Sequence, residues 1–355
     1  MRYLIPLLVV TCFFVYWYRP EHKRWNIQQE SLLVLGKKFF FDPQLSGTGT
    51  KSCGSCHNPQ YAFTDGYRKT LGIFADVHAR NTPGLVNVAA NSYFNWANKS
   101  VTSLEQQMEQ PLFSHRIPEM GLEENDQRIV KHITQQPAYA ALIAAAYPGQ
   151  DTLNWLMIKK SIAAYVASLQ SYNSPYDKYK TGDSNAISVS AKKGMQLFFS
   201  NQLKCSNCHV PPTFGADSSL PVHQQFYNIG LYNLNNGDYA GNDNGLFNET
   251  GIETDKGKFR VPTLRNLSFT APYFHDGSAE TLNEAVQVFE AGGRVITKGI
   301  NAGDGRKNRY KDKNITGYTL TNEQRMDLIN FLLSLDDSTI LVNPQFNNPF
   351  AAKKN

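Results

Sequence analysis

Two pentapeptides carry the most specific chemistry in the chain. Cys53, Cys56 and His57 stand in CGSCH, and Cys205, Cys208 and His209 stand in CSNCH. Two thiols about one helical turn apart can add across the two vinyl groups of a haem. The next residue then presents an imidazole to the iron, and imidazole is a normal axial ligand. With five cysteines and eight histidines in 355 residues, one such pentapeptide arises by chance about 0.002 times per chain. Disulfides are the first expectation for cysteine pairs in an exported protein, and a shared four-cysteine zinc site is the main structural alternative. Neither explains the two adjacent histidines. Thioredoxin-like chemistry needs an alternating strand–helix pattern that neither motif has. The expectation is two covalently bound haem c groups, with His57 and His209 as ligands to their irons.

The segments around the motifs are alike. SLLVLGKKFFFDPQLSGTGTKSCGSCH and SAKKGMQLFFSNQLKCSNCH each place an amphipathic stretch with Lys-Lys and paired phenylalanines before the cysteines, which reads as an internal duplication. SLEQQMEQPL, NDQRIVKHITQQPAYAALIAAAY and TLNWLMIKKSIAAYVASLQSY repeat apolar residues at three and four, as do TLNEAVQVFEAG and TNEQRMDLINFLLSLDD, so helices are expected. Thr321, with Glu323 behind it, is the expected cap of the last. NSPYDKYKTGDSNAISVS has no period and marks a boundary, and LYNLNNGDYAGNDNGLFNETG reads as a surface loop with many turns. The expected fold is mainly α. Residues 1–20 form a leader, 21–180 one cytochrome c-like haem domain, and 181–345 a second, both with long loops.

Composition agrees with a folded protein: 41% hydrophobic, 18% charged and 12% aromatic. A net charge of +5 is too mild to argue for nucleic acid. Seven basic and two acidic residues in GGRVITKGINAGDGRKNRYKDKN make a loop suited to an acidic redox partner. The apolar run from Tyr3 to Tyr18 reads as an export signal or a membrane anchor. It is shorter than the ~20 residues of a usual span, and no A-x-A-like cleavage site follows it. LVVTC, ending at Cys12, is a poor lipoprotein box. The body of the protein is expected in the periplasm, touching the membrane only through this segment.

The order of these motifs resembles that of the bacterial dihaem cytochrome c peroxidases and their MauG-type relatives. The resemblance is carried by KSCGSCHNPQYAFTDG, ARNTPGLVN, SLEQQ followed by PEMG, CSNCH, and FRVPTLRNLSFTAPYFHDGSAETLNEAV. It implies that the first haem meets peroxide. Glu119 in IPEMG would be the acid–base group, Gln107 in SLEQQ would orient the peroxide, and Trp96 would lie between the haems. Asn81, Thr270 and Pro272 would hold a calcium ion, and His275 would hydrogen-bond near the second haem. Hydrogen peroxide and a small donor cytochrome c or cupredoxin are the implied partners, and family members are often dimers. The implied activity is reduction of peroxide to water. The alternatives are MauG-like oxidation of a partner protein, and a dihaem electron carrier without peroxide chemistry.

Two positions depart from the family pattern. Where activatable peroxidases have a loop histidine, near Ile73, this chain has none; His78 follows five residues later. The family supplies methionine or tyrosine to the second iron fourteen residues after the HDG histidine, and here that position is Phe289. The second iron is then either five-coordinate or served by Met326, Tyr227 or Tyr232.

Overall fold

The computed structural model describes residues 20–351 apart from 125 and 151, with residues 20–26 described by their backbone only. The apolar leader, with Cys12, lies outside the described residues. None of the described helices is long and apolar enough to cross a membrane.

The chain is mainly helical. Among the described residues the longest helices are Pro20–Phe41, Trp155–Ala167 and Asn322–Leu333, followed by Pro137–Ala146, Val189–Phe198 and Leu282–Glu290. Among the described residues, strands form two short antiparallel ladders, Phe226–Tyr227 with Phe259–Arg260 and Val295–Ile296 with Gly303–Asp304. The helix starts follow capping chemistry. Thr321 accepts from the Gln324 N–H and Thr281 from the Glu284 N–H, each inside a reciprocal capping box, which satisfies backbone donors that the first turn leaves free.

Two stretches differ from the periodicity. The run over 125–147 is two helices, Gln127–Thr134 and Pro137–Ala146, because Pro137 has no N–H to continue the first and a φ suited to start the second. The aperiodic boundary segment contains a helix, Pro175–Lys180, started by a Ser174–Asp177 capping box with proline in its first turn. Local capping overrides the missing apolar stripe there.

The helix before each cysteine pair crosses a later helix at a glycine. A Cβ on Gly36 would stand 1.8 Å from the Ser161 carbonyl oxygen, and one on Gly194 would stand 1.9 Å from that of Asp327. Only glycine lets two backbones approach so closely. One core gathers Leu35, Phe39, Phe40, Phe63, Ile158 and Tyr165; a second gathers Phe198, Phe214, Leu328, Phe331 and Leu335. A third, smaller cluster joins Ala97 to Leu231, Tyr239 and Phe259. The C-terminal segment returns to the first core through Ile340 and Phe346, where the Tyr165 hydroxyl donates to the Phe346 carbonyl at 2.7 Å.

Candidate functional site: two cysteine–histidine cavities

Each cysteine pair lies in a tight turn at the wall of its own cavity. Cys53–Cys56 is a single helical turn capped by Ser52 and Ser55, and Cys205–Asn207 is a 3-10 turn. Cys53, Cys56 and His57 border one cavity; Cys205, Cys208 and His209 border the other. The pairs are therefore apart, and a shared four-cysteine zinc site does not form. The four thiols are free, and burial pushes Cys53 and Cys205 up to about 12 and Cys208 to about 11.

The two histidines are oriented in the same way. His57 Nδ1 lies 2.9 Å from the Phe63 carbonyl oxygen, and His209 Nδ1 lies 3.0 Å from that of Phe214. A carbonyl only accepts, so Nδ1 carries the proton and Nε2 keeps its lone pair, the state an iron ligand requires. Burial lowers the pKa of both imidazoles, that of His209 to about 4, and keeps them neutral. The carbonyls are delivered by matched tight turns. Residues Asn58 and Thr64 bridge around one, Val210 and Gly215 around the other, and Phe63 and Phe214 take φ of 66° and 53°. Both phenylalanine rings are fully buried. Sequence reasoning missed these residues, although a proline and then a phenylalanine follow each motif histidine in HNPQYAF and HVPPTF.

The residues present fit haem. Beyond the thiols and imidazoles, Arg260 borders both cavities and is buried. Its guanidinium donates to the carbonyls of Asn95 and Val261, and burial lowers its pKa to about 10. A buried guanidinium with no carboxylate partner among the described residues suits the carboxylates that haem carries.

Glu119, Gln107 and His78 all border the His57 cavity. The turn holding Glu119 is pinned on both sides: Ile73 N–H donates to the Pro118 carbonyl, Gly47 N–H to that of Met120, and Met120 N–H to that of Pro111. The Glu119 side chain is 22% exposed, and its Oε1 lies 3.8 Å from His78 Nδ1. Burial raises its pKa to about 7, against the pull of Lys51. His78 is held below its ordinary value by burial and by Lys51, and its Nε2 is buried without a hydrogen-bond partner.

Gln107 ends a short helix capped by Ser103. Its Oε1 accepts from Asn95 Nδ2 at 3.2 Å, which leaves its amide N–H groups to serve as donors. Asn95 Oδ1 accepts in turn from Arg80 Nη1 at 3.3 Å, and Arg80 forms a bidentate pair with Asp243. Asp243 belongs to the Asn- and Gly-rich segment read from sequence as a surface loop. The segment is turn-rich and partly exposed, as read, and with Gly241, Asn242 and Asn248 it also borders the His57 cavity. No periodicity or motif signals that placement.

Trp96 borders both cavities and donates from Nε1 to the Asn81 carbonyl at 3.0 Å. Asn81, Thr270 and Pro272 all border the His209 cavity, and the Asn81 amide donates to the Tyr67 carbonyl at 2.7 Å. His275 borders the same cavity, its ring stacked on Phe259 at 3.5 Å. Of the three side chains considered for the second iron, Met326 is 53% exposed and does not border the cavity. Tyr232 also stands outside it, donating to Asp276 at 2.6 Å. Tyr227 borders it but gives its hydroxyl to Cys208. Phe289 borders it as well.

Residues 30–185 match the family described as di-haem cytochrome c peroxidase. Among curated relatives, a cytochrome-c peroxidase of Pseudomonas sp. (strain SCT) is 30% identical over 88% of this chain and 83% of its own. The methylamine utilization protein MauG of Methylorubrum extorquens is 29% identical over 89% and 82%. A solved MauG-like protein associated with microbial copper homeostasis superposes with a TM-score of 0.85 at 36% identity, covering 90% of this chain and 93% of that one. With its paired cysteine–histidine cavities and a carboxylate in the first, the chain belongs to the di-haem cytochrome c peroxidase family.

Proposed function

We propose that this chain reduces hydrogen peroxide to water at the His57 cavity, with electrons entering from a small cytochrome c or cupredoxin at the His209 cavity. The observation that carries this reading is an asymmetry. Glu119 and Gln107 border the first cavity, whereas among the described residues no Asp or Glu borders the second. When bound, each haem would supply an iron that exchanges single electrons.

The chain's own residues would do the rest. Cys53 with Cys56, and Cys205 with Cys208, would hold the two groups by thioethers; His57 and His209 would ligate the irons; Arg260 would meet haem carboxylates. Glu119 would take the proton from the near oxygen of peroxide and return it to the departing oxygen, a role suited to a carboxyl with a pKa of about 7 at neutral pH. Gln107, held through its carbonyl by Asn95, would donate from its amide to orient the peroxide. Two protons and two electrons per peroxide then yield two waters. Trp96, between the cavities, would carry electrons from one to the other.

The remaining parts of the proposal are a haem domain over 21–180, a second over 181–345, and a periplasmic location with the N-terminal segment as signal or tether. A homodimer and a calcium ion held by Asn81, Thr270 and Pro272 complete it; oxygen-only ligands suit calcium. A second reading, oxidation of a partner protein, is favoured by the likeness to the MauG-like structure and by Ile73 where activatable peroxidases have histidine. Steady-state turnover of the holoprotein with peroxide and a reduced small cytochrome c tests the choice. Sustained donor oxidation supports the peroxidase. Fast consumption of one peroxide equivalent without donor turnover would support the protein oxidase.

A further inference from the structure

Among the described residues the wall of the His209 cavity contains few groups able to bind iron, and most of them are engaged elsewhere. Among the described residues no methionine borders it. Tyr227 gives its hydroxyl to Cys208, Tyr239 to Asn228 at 2.7 Å, and Tyr273 to the Leu267 carbonyl at 2.8 Å. Tyr318 sits in the field of the Cys205 thiol, and Lys204 directly precedes it, so both belong to the edge where the cysteines attach. His275 lies flat on Phe259, with 12° between the rings.

The helix Leu282–Glu290 instead turns a stripe of Leu282, Ala285, Val286 and Phe289 to the cavity. This three- and four-residue spacing places all four on one face. Phe289 also packs against Phe274, another wall residue, with ring centroids 6.3 Å apart. The stripe offers no ligand, no carboxylate and no hydrogen-bond donor.

We propose that the second iron, held by His209 alone on the protein side, keeps an open position beside Phe289 that takes a small uncharged diatomic ligand such as carbon monoxide. The apolar wall disfavours anions, which would lose hydration without gaining a partner. It also provides no group to move a proton, so this position binds ligands without sharing the peroxide chemistry assigned to Glu119. The inference rests on the haem assignment made above and adds a second ligand site to it.

The test uses the reduced holoprotein. Haem content is measured first in the wild type and in Phe289→Met and Phe289→Leu variants; fewer than two haems per chain in the wild type would overturn the haem assignment itself. Carbon monoxide is then titrated into each protein. Thioether sulfur is a haem ligand and leucine is not, so the methionine variant is expected to bind one carbon monoxide fewer per chain than the wild type. The leucine variant is expected to match the wild type. Resonance Raman spectra should show the second haem five-coordinate in the wild type and six-coordinate in the methionine variant. A wild-type second haem that is already six-coordinate and low-spin, or equal stoichiometry in wild type and methionine variant, would overturn the inference.

Discussion

Arg80 and Asp243, 163 residues apart in sequence, form a two-pronged ion pair in which Nε and Nη2 each lie 2.8 Å from a carboxylate oxygen. The third Arg80 nitrogen holds Asn95, and Asn95 holds Gln107. A loop from the second half of the chain thus fixes, through three side chains, the amide proposed to orient peroxide in the first half.

Replacing Asp243 with asparagine keeps the shape and removes the charge. Asp243 is buried, and the Arg80 guanidinium holds its carboxyl below the usual range despite that burial. The loss is expected to be about 1.5–3 kcal/mol, the range for hydrogen bonds to charged groups, read as a lower midpoint in denaturant unfolding of the holoprotein. An unchanged midpoint would show that the pair contributes nothing.

The pH dependence follows from Glu119. With its pKa raised by burial to about 7, the carboxyl is protonated below that value and cannot accept the peroxide proton. The rate of reaction with peroxide should therefore rise with pH through a limb near 7. Lys51 favours the carboxylate. Lys51→Met should raise the pKa further and move the limb to higher pH, as read from stopped-flow rates across a pH series. A limb that stays in place would separate it from Glu119.

What the sequence made legible is local. The two C-x-x-C-H motifs, the duplicated helices before them and the Thr321 cap are contained within a few residues each, and the Leu282–Glu290 stripe follows a simple period. What it hid is long-range or made by the backbone. The Phe63 and Phe214 carbonyls that orient the histidines depend on left-handed turns, not on side-chain type. The Arg80–Asp243 pair joins residues with no sequence relation, so nothing in the sequence showed that a polar, turn-rich surface segment also borders the first cavity. Glu119 and Gln107 enter only through the resemblance, because a single carboxylate in a loop carries no periodic signal.

Gly36 and Gly194 mark the paired helix crossings, and adding one methyl at either should be felt. Gly36→Ala and Gly194→Ala each place a Cβ within 2 Å of a backbone carbonyl oxygen, which the helices relieve only by moving apart. Overpacking of this kind costs about 1–3 kcal/mol. Thermal unfolding of the holoproteins should show lower midpoints for both variants; no change in either would mean that the crossing tolerates a wider spacing.

Trp96 borders both cavities. Trp96→Phe keeps an apolar ring but loses the indole and its hydrogen bond to Asn81. Transfer of electrons between the haems should slow at least tenfold, measured by flash photolysis of the half-reduced protein, with the spectra of both haems retained. An unchanged rate would mean that the electrons take another route.

The most direct test of the central claim is stopped-flow mixing of the half-reduced holoprotein with stoichiometric peroxide, for the wild type and for Glu119→Gln. Removing a positioned acid–base group costs about 10²–10⁴-fold. The account predicts fast haem oxidation in the wild type and a loss of that size in the variant, with haem content unchanged. Equal rates in the two proteins, or slow reaction in both, would contradict it.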